Sequence, residues 1–300
     1  MEDKVSHSIR MEAFNWLQQI ATMNDYVLEW KELTQGFSFN GKNVVLIGAK
    51  GIWKPKEIQR YPISITSVQK SEYQDKIIDD SSMHYSYRGT NPMHYDNIAL
   101  REAMENKIPL IYLHQIFKGK YFVAWPAFII HDEPANLRFL VRVENQSILK
   151  NDSLLVSEPE AEYRQKYTTR NVLVRLHQRS FREAVLSAYR NHCTICRLKH
   201  RELLDAAHII PDNEEGQPIV SNGLSLCKIH HAAFDQNILG INPDYHVEIR
   251  KDILEETDGP MLKYGLQSTH RQKIILPRKE IMKPNKEWLD IRYQRFKGVG

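Results

Sequence analysis

An α+β protein of two domains is the fold class this sequence predicts, on three observations. The N-terminal half alternates short β-patterned runs with helical ones, a polar and aperiodic stretch follows near residues 145–170, and all three cysteines then fall in one histidine-rich segment, Cys193 to Asp235. Three hundred residues suit two domains at the usual ~100 to 200 residues each. A composition of 42% hydrophobic and 26% charged residues is ordinary for a soluble globular protein. No run of about 18 apolar residues suggests a membrane span, and the first residues lack a signal peptide's apolar centre. A cytoplasmic chain without membrane contact is expected, its cysteines reduced rather than paired as disulfides. The net charge of +4 is compatible with a polyanionic partner but too small to identify one.

Residues 8–22 place Met11, Phe14, Leu17 and Ile20 at helical spacing, which predicts an amphipathic helix. From about Gly36 the period changes: FSFNGKNVVLIG sets an Asn-Gly turn between extended runs, GAKGIWKP reads as a turn, and PISITSV alternates as a strand does. DNIALREAMEN reads as a helix with Asp96 as its N-cap. KGKYFVAWPAFII and RFLVRVEN are the next strands, joined through the turn HDEPANL. Residues 149–170 are expected to link a domain at 1–148 to one at 171–300. RNVLVRLHQRSFREAVLSAYRNH then reads as a helix that buries Val174, Phe181, Val185 and Leu186. Its Arg175, Arg179 and Arg182 belong to the most basic cluster in the chain, a pattern suited to phosphate contact. Beyond Asp235, ILGINPDYHVEIRKDI reads as a turn and a strand, and the basic tail ends in a helix carrying Trp288, Tyr293 and Phe296.

The segment between these helices carries the chemistry. Cys193 with Cys196, and Cys227 with His230, are two pairs with two residues between partners. Such pairs can each place two donors on one tetrahedral ion, and a closed set of four marks a structural Zn²⁺ rather than a catalytic one. DAAHIIP is a short apolar strand ended by Pro211, SNGLSLC a turn at Asn222-Gly223 with a second strand, and KIHHAAFDQ a helix. On that helix His231 and Asp235 are four residues apart, hence on one face, where both can reach a divalent cation beside His208. Such an ion polarises a phosphate oxygen while a neutral imidazole takes a proton from water, which is the chemistry of phosphodiester hydrolysis.

The AAHI-P, NG-L-LC and HH-x-x-FD runs, at His208, Asn222, Gly223, Leu226, Cys227, His230, His231, Phe234 and Asp235, resemble the HNH nucleases with a ββα-metal fold. That resemblance implies His208 as general base, Asn222 as the residue orienting the strand that carries it, and His231 with Asp235 as ligands of catalytic Mg²⁺ or Mn²⁺. Many of these nucleases carry a metal-binding Asp or His just before the base, where this chain has Ala207. Asp205 projects to the same side of a strand as Ala207 and is expected to substitute.

In the N-terminal half SITS, SEYQD, YSYRG, DNIALREAMENKIPLIYL and KGKYFVAWPAFII resemble, in order, the SRA domains, which are PUA-like β-barrels that bind modified cytosine in DNA. By that resemblance the modified base is flipped from the duplex and stacked between Tyr73 and Tyr87, with Asp75 reading its edge. Flipping costs a few kcal/mol and stacking on an aromatic returns about 1 to 3 kcal/mol, so aromatic faces and a polar edge reader are the groups such a pocket needs. The two resemblances together are similar to bacterial modification-dependent restriction endonucleases. They imply a double-stranded DNA substrate carrying 5-methyl- or 5-hydroxymethylcytosine and a homodimer that cuts both strands. Two alternatives stay open: an HNH nuclease whose N-terminal domain reads a backbone modification, damage or plain sequence, and a non-catalytic binder of modified DNA.

Overall fold

The computed structural model describes residues 2–24, 26–68, 82–144, 158–257 and 259–299. They form two compact units, Met1–Leu176 and His177–Gly300.

The first unit opens with the expected amphipathic helix, α1 (Lys4–Met23), capped by the Asp3 carboxylate accepting from the Ser6 amide. Short elements follow: β1 (Val27–Glu29), α2 (Trp30–Gln35), β2 (Phe37–Phe39), β3 (Lys42–Val44) and β4 (Ile52–Trp53). The longer ones are β5 (Ser64–Val68), β6 (Met83–Ser86), α3 (Tyr95–Glu105), β7 (Leu110–Phe117), β8 (Lys120–Glu133) and β9 (Arg138–Val143). Seven strands make one sheet in the order β4-β5-β7-β8-β9-β6, with β1 added on β8. Its pairs are antiparallel except β5 with β7. Alternation along β7 and β8 gives the sheet two apolar faces. Ile111, Leu113, Val123 and Trp125 pack with Phe14 and Leu17 of α1, whereas Leu110, Tyr112, Phe122 and Ala124 pack with Leu100 and Ala103 of α3.

Two expectations change here. The β-barrel is instead a curled, open sheet: closing it would require β4 to pair with β6, no such pairing is present among the described residues, and β4 offers two residues for it. The N-cap of α3 is His94, whose ring accepts from the Asp96 amide, while the Asp96 carboxylate is ion-paired with Arg88.

Helix α4 (Glu158–Ala188) starts earlier than expected and takes in part of the stretch read as a linker. Phe181, Val185 and Leu186 are buried as predicted, but Val174 is 46% exposed. The second unit then contains β10 (Leu204–His208), β11 (Gly223–Cys227), α5 (Lys228–Asp235), β12 (Leu239–Ile241), β13 (Val247–Ile249), α6 (Lys251–Glu255), α7 (Pro260–Gly265) and α8 (Lys286–Lys297). β10 and β11 form an antiparallel ribbon that pairs Leu204 with Cys227 and His208 with Gly223, and α5 follows directly. Beneath it lies a core built on Leu204, Ala207, Leu224, Leu226 and Phe234. Leu289 and Phe296 are the buried side chains of α8, so of the three aromatics expected there Phe296 is the one fully in the core. Phe296 packs on Gly240, where a Cβ would come within 2.6 Å of its ring.

Candidate functional site

The Cys3His set assembles as the spacing predicts. A tight turn after α4 holds Cys193 and Cys196, with the Cys193 amide donating to the Leu198 carbonyl and the Arg197 amide to the Cys193 carbonyl. Cys227 is the N-cap of α5 and His230 lies in its first turn. The four ligand atoms all lie within 4.8 Å of one another. Cys196 Sγ is 3.9 Å from Cys227 Sγ, and His230 Nδ1 is 3.4 Å from Cys193 Sγ and 3.1 Å from Cys227 Sγ. Two sulfurs on one tetrahedral zinc, each at about 2.3 Å, would stand about 3.8 Å apart, so the donor set fits that ion. His230 Nε2 donates to the Gly265 carbonyl at 2.8 Å. A carbonyl can only accept, so Nε2 carries a hydrogen and Nδ1 is the nitrogen left facing the sulfurs, the outer-sphere arrangement that orients metal-bound histidines.

The other ribbon end carries His208. Its ring lies flat on Phe181 of α4, with centroids 3.9 Å apart and planes 11° apart. Nε2 is 3.1 Å from Asp212 Oδ1 yet out of alignment for a hydrogen bond. Burial pushes the His208 imidazole below its ordinary pKa, with Asp212 opposing, which leaves it neutral near pH 7. Asn222 is fully buried and makes no hairpin turn: it ends a 3-10 turn, and Gly223 beside it is extended. Its Oδ1 accepts from the Ile210 amide at 2.9 Å, and its Nδ2 donates to the carbonyls of Ile210 at 3.0 Å and Gln217 at 2.9 Å. That clamp fixes the loop that leaves His208.

His231 sits between two carboxylates. Nδ1 is 3.2 Å from Asp205 Oδ2 and Nε2 is 3.3 Å from Asp235 Oδ2. Because the carboxylates approach opposite nitrogens of one ring, the three groups are strung in a row and do not converge on one point. Among the described residues, the Cys3His cluster is the group of three or more such ligands within mutual metal-binding reach. Asp205 also accepts from Lys228 at 2.6 Å. Against burial, which favours the neutral acid, Lys228 and His231 hold the Asp205 carboxyl below its usual range. Ala207, in the position many HNH nucleases give to a ligand, is fully buried and faces the core.

His208, His231 and Asp205 line one cavity of about 340 Å³, together with Gln178, Arg179, Arg182 and Asp212. Two of the three arginines singled out for phosphate contact are therefore in its wall. Arg182 Nη2 also donates to the carbonyls of Arg201 at 3.1 Å and Leu204 at 2.8 Å, so it braces the start of β10. Arg175 belongs to the first unit, its guanidinium 5.5 Å from the Tyr26 ring centroid.

Residues 193–242 match the HNH endonuclease family. The HNH segment contains both histidine sites and all four cluster ligands, while Gln178, Arg179, Phe181 and Arg182 lie outside it. The chain thus carries an HNH endonuclease domain, which supports nuclease activity, behind an N-terminal β-sheet domain. No curated protein matches the chain. Two solved structures are similar to it. One is a "Modification dependent TagI restriction endonuclease", 14% identical with a TM-score of 0.28 over 79% of this chain and 82% of that one. The other is the "Type IV phosphorothioation-dependent restriction endonuclease ScoMcrA", 16% identical with a TM-score of 0.27 over 75% of this chain and 54% of that one.

Of the expected base pocket, Tyr73 and Asp75 lie outside the described residues. Tyr87 is buried, with its ring centroid 4.6 Å from that of Phe139. Its hydroxyl donates to Asp132, and Arg101 donates to that hydroxyl at 3.3 Å and to Asp132 at 2.6 Å. The residues that sequence reasoning passed over at the HNH site are Asp212, Lys228, Gln178 and Phe181. Asp212 carried a readable signal, since it follows His208 by four residues; Phe181 read as nothing more than part of a buried stripe.

Proposed function

We propose that this protein is a DNA endonuclease that hydrolyses phosphodiester bonds with the help of a divalent cation, and that its first unit selects the DNA. The observation that carries the reading is the cavity whose wall brings His208, neutral and with its Nε2 3.1 Å from Asp212 Oδ1, together with two arginines and the Asp205–His231 pair. His208 takes the proton from the attacking water, a role that needs a free lone pair near neutrality. Arg179 and Arg182 draw the scissile phosphate to the cleft, and Asn222 keeps the loop beyond His208 from moving the base off line. Asp205, His231 and Asp235 are the residues that would hold the divalent cation, the carboxylates being the donors that suit Mg²⁺ or Mn²⁺, but the row in which His231 bridges the two acids would have to open for all three to share one ion. Held there, such a cation would supply Lewis-acid polarisation of the phosphate and stabilisation of the leaving oxyanion. Zn²⁺ in the Cys3His cluster serves structure alone, since four protein donors leave no open position.

For the first unit, recognition of 5-methyl- or 5-hydroxymethylcytosine by base flipping is the leading proposal, resting on the residues Tyr73 and Asp75. The burial of Tyr87 on Phe139 favours a second reading, in which the sheet domain recognises another feature, such as a backbone modification. One active site cuts one strand, so double-strand cleavage calls for a homodimer on double-stranded DNA. The test is a panel of one DNA sequence made with plain cytosine, 5-methylcytosine, 5-hydroxymethylcytosine and a phosphorothioate backbone, incubated with Mg²⁺ or Mn²⁺ and with EDTA. Cleavage confined to a cytosine modification is the expected result. Cleavage confined to the phosphorothioate DNA would favour the second reading, and equal cleavage of all four would remove selection by modification.

A further inference from the structure

Phe181 lies outside the HNH segment, on the helix that precedes it, yet its ring covers one face of His208. A separation of 3.9 Å at 11° is a face-on stack, which restrains rotation of the imidazole about its own χ2 axis. Phe181 itself is 3% exposed and packs with Val185 of the same helix and Tyr189 just beyond its end, so its own rotamer is fixed. The contact depends on the absence of a side chain at Gly223, the residue paired with His208 across the ribbon. A Cβ at Gly223 would come within 2.3 Å of Val185 Cγ2 and 2.9 Å of Phe181 Cζ. Tyr189, in the turn that follows α4, donates its hydroxyl to the Gly223 carbonyl at 3.3 Å and ties the end of the helix to the same strand. Two residues of α4 and one just beyond it thus address one ribbon position, and the outcome is an imidazole held flat on Phe181 with its Nε2 3.1 Å from Asp212 Oδ1.

We propose that Phe181 is a positioning residue of the nuclease site, which holds the plane of the His208 ring in the orientation from which the imidazole deprotonates the attacking water. This rests on His208 being the general base. An imidazole free to swing would keep its burial and its place on the strand but would present the lone pair in line for only part of the time. Misplacement of a reacting group by about 1 Å can cost about a hundredfold in rate, so the loss should fall on kcat rather than on DNA binding.

The experiment replaces Phe181 in the full-length, zinc-loaded chain with Met, which keeps apolar bulk without a flat face, and with Trp, which restores one. Phe181→Leu is the second non-aromatic variant where Met does not fold. Plasmid nicking is followed for kcat and KM, and the ring protons of His208 are followed by NMR, identified by their disappearance in His208→Ala. The non-aromatic variant should lose about ten- to a hundredfold in kcat with KM within about twofold, and its His208 ring signals should lose the upfield displacement an overlying aromatic imposes. Phe181→Trp should recover most of both. Wild-type kcat in Phe181→Met, or a Trp variant no better than Met, would overturn the proposal. Failure of the underlying reading looks different: His208→Ala would then nick DNA as wild type does, while the NMR signature of the stack remained.

Discussion

Asn222 separates a residue that positions from one that reacts. Three hydrogen bonds run from its buried amide to the backbone of Ile210 and Gln217, and truncation leaves those groups unpaired in the interior. Asn222→Ala should cost about 1 to 3 kcal/mol in urea denaturation and lower cleavage through a displaced His208. Both cavity arginines bear on DNA binding. Arg179→Ala should weaken DNA binding at all sequences and reduce the salt slope by about 1. Arg182→Ala should also lower the melting temperature, because Arg182 braces the Arg201 and Leu204 carbonyls; a salt-dependent binding series and thermal melts check the two expectations. At this scale the sequence was informative wherever chemistry demands a residue type. The two ligand pairs read directly from spacing, and the cavity brings His208 and His231 together with Arg179 and Arg182 of the basic cluster but not with Arg175. Asn222 read as a turn residue, because nothing local distinguishes an Asn that bends the chain from one that clamps a loop twelve residues upstream. Phe181 read as core, which it is; its second role needs the ribbon to be folded against α4 before it exists.

At the scale of elements, the zinc cluster joins the turn after α4 to the end of β11 and the start of α5. The four donors tie these segments to one another beside the core that β11 and α5 bury, and structural zinc contributes folding free energy on the order of 10 kcal/mol in small modules. Strong chelation, or Cys196→Ser, should therefore melt the second unit before the first, seen as a low-temperature transition in calorimetry that added Zn²⁺ removes for the wild type but not for the variant. A single unchanged transition after zinc removal would contradict the account. The elements themselves were legible where periodicity is sustained: α1, the ribbon strands, α5 and α8 all form where their patterns place them. Helix α4 was legible in its apolar half alone. Its first residues, Glu158 onward, carry no apolar stripe, so composition there pointed to a linker. The barrel was not legible as an open sheet, since closure depends on whether edge strands such as β4 are long enough to pair, and strand length is the least certain reading of a short alternating run.

Across the whole molecule, a net charge of +4 supplies little attraction for DNA by itself, so binding must draw on local cations such as Arg179 and Arg182, which share the cavity wall with Asp205 and Asp212. The two compact units divide the task in the proposed account, with the sheet domain selecting and the HNH domain cutting. The most direct test of that account is plasmid nicking by the full-length chain beside His208→Ala, at matched zinc content, with Mg²⁺ or Mn²⁺ and with EDTA. The account predicts metal-dependent nicking that falls by about 10²- to 10⁴-fold in His208→Ala while both proteins keep one zinc and the same melting behaviour. Equal nicking by the two proteins, or nicking that survives EDTA undiminished, would contradict it.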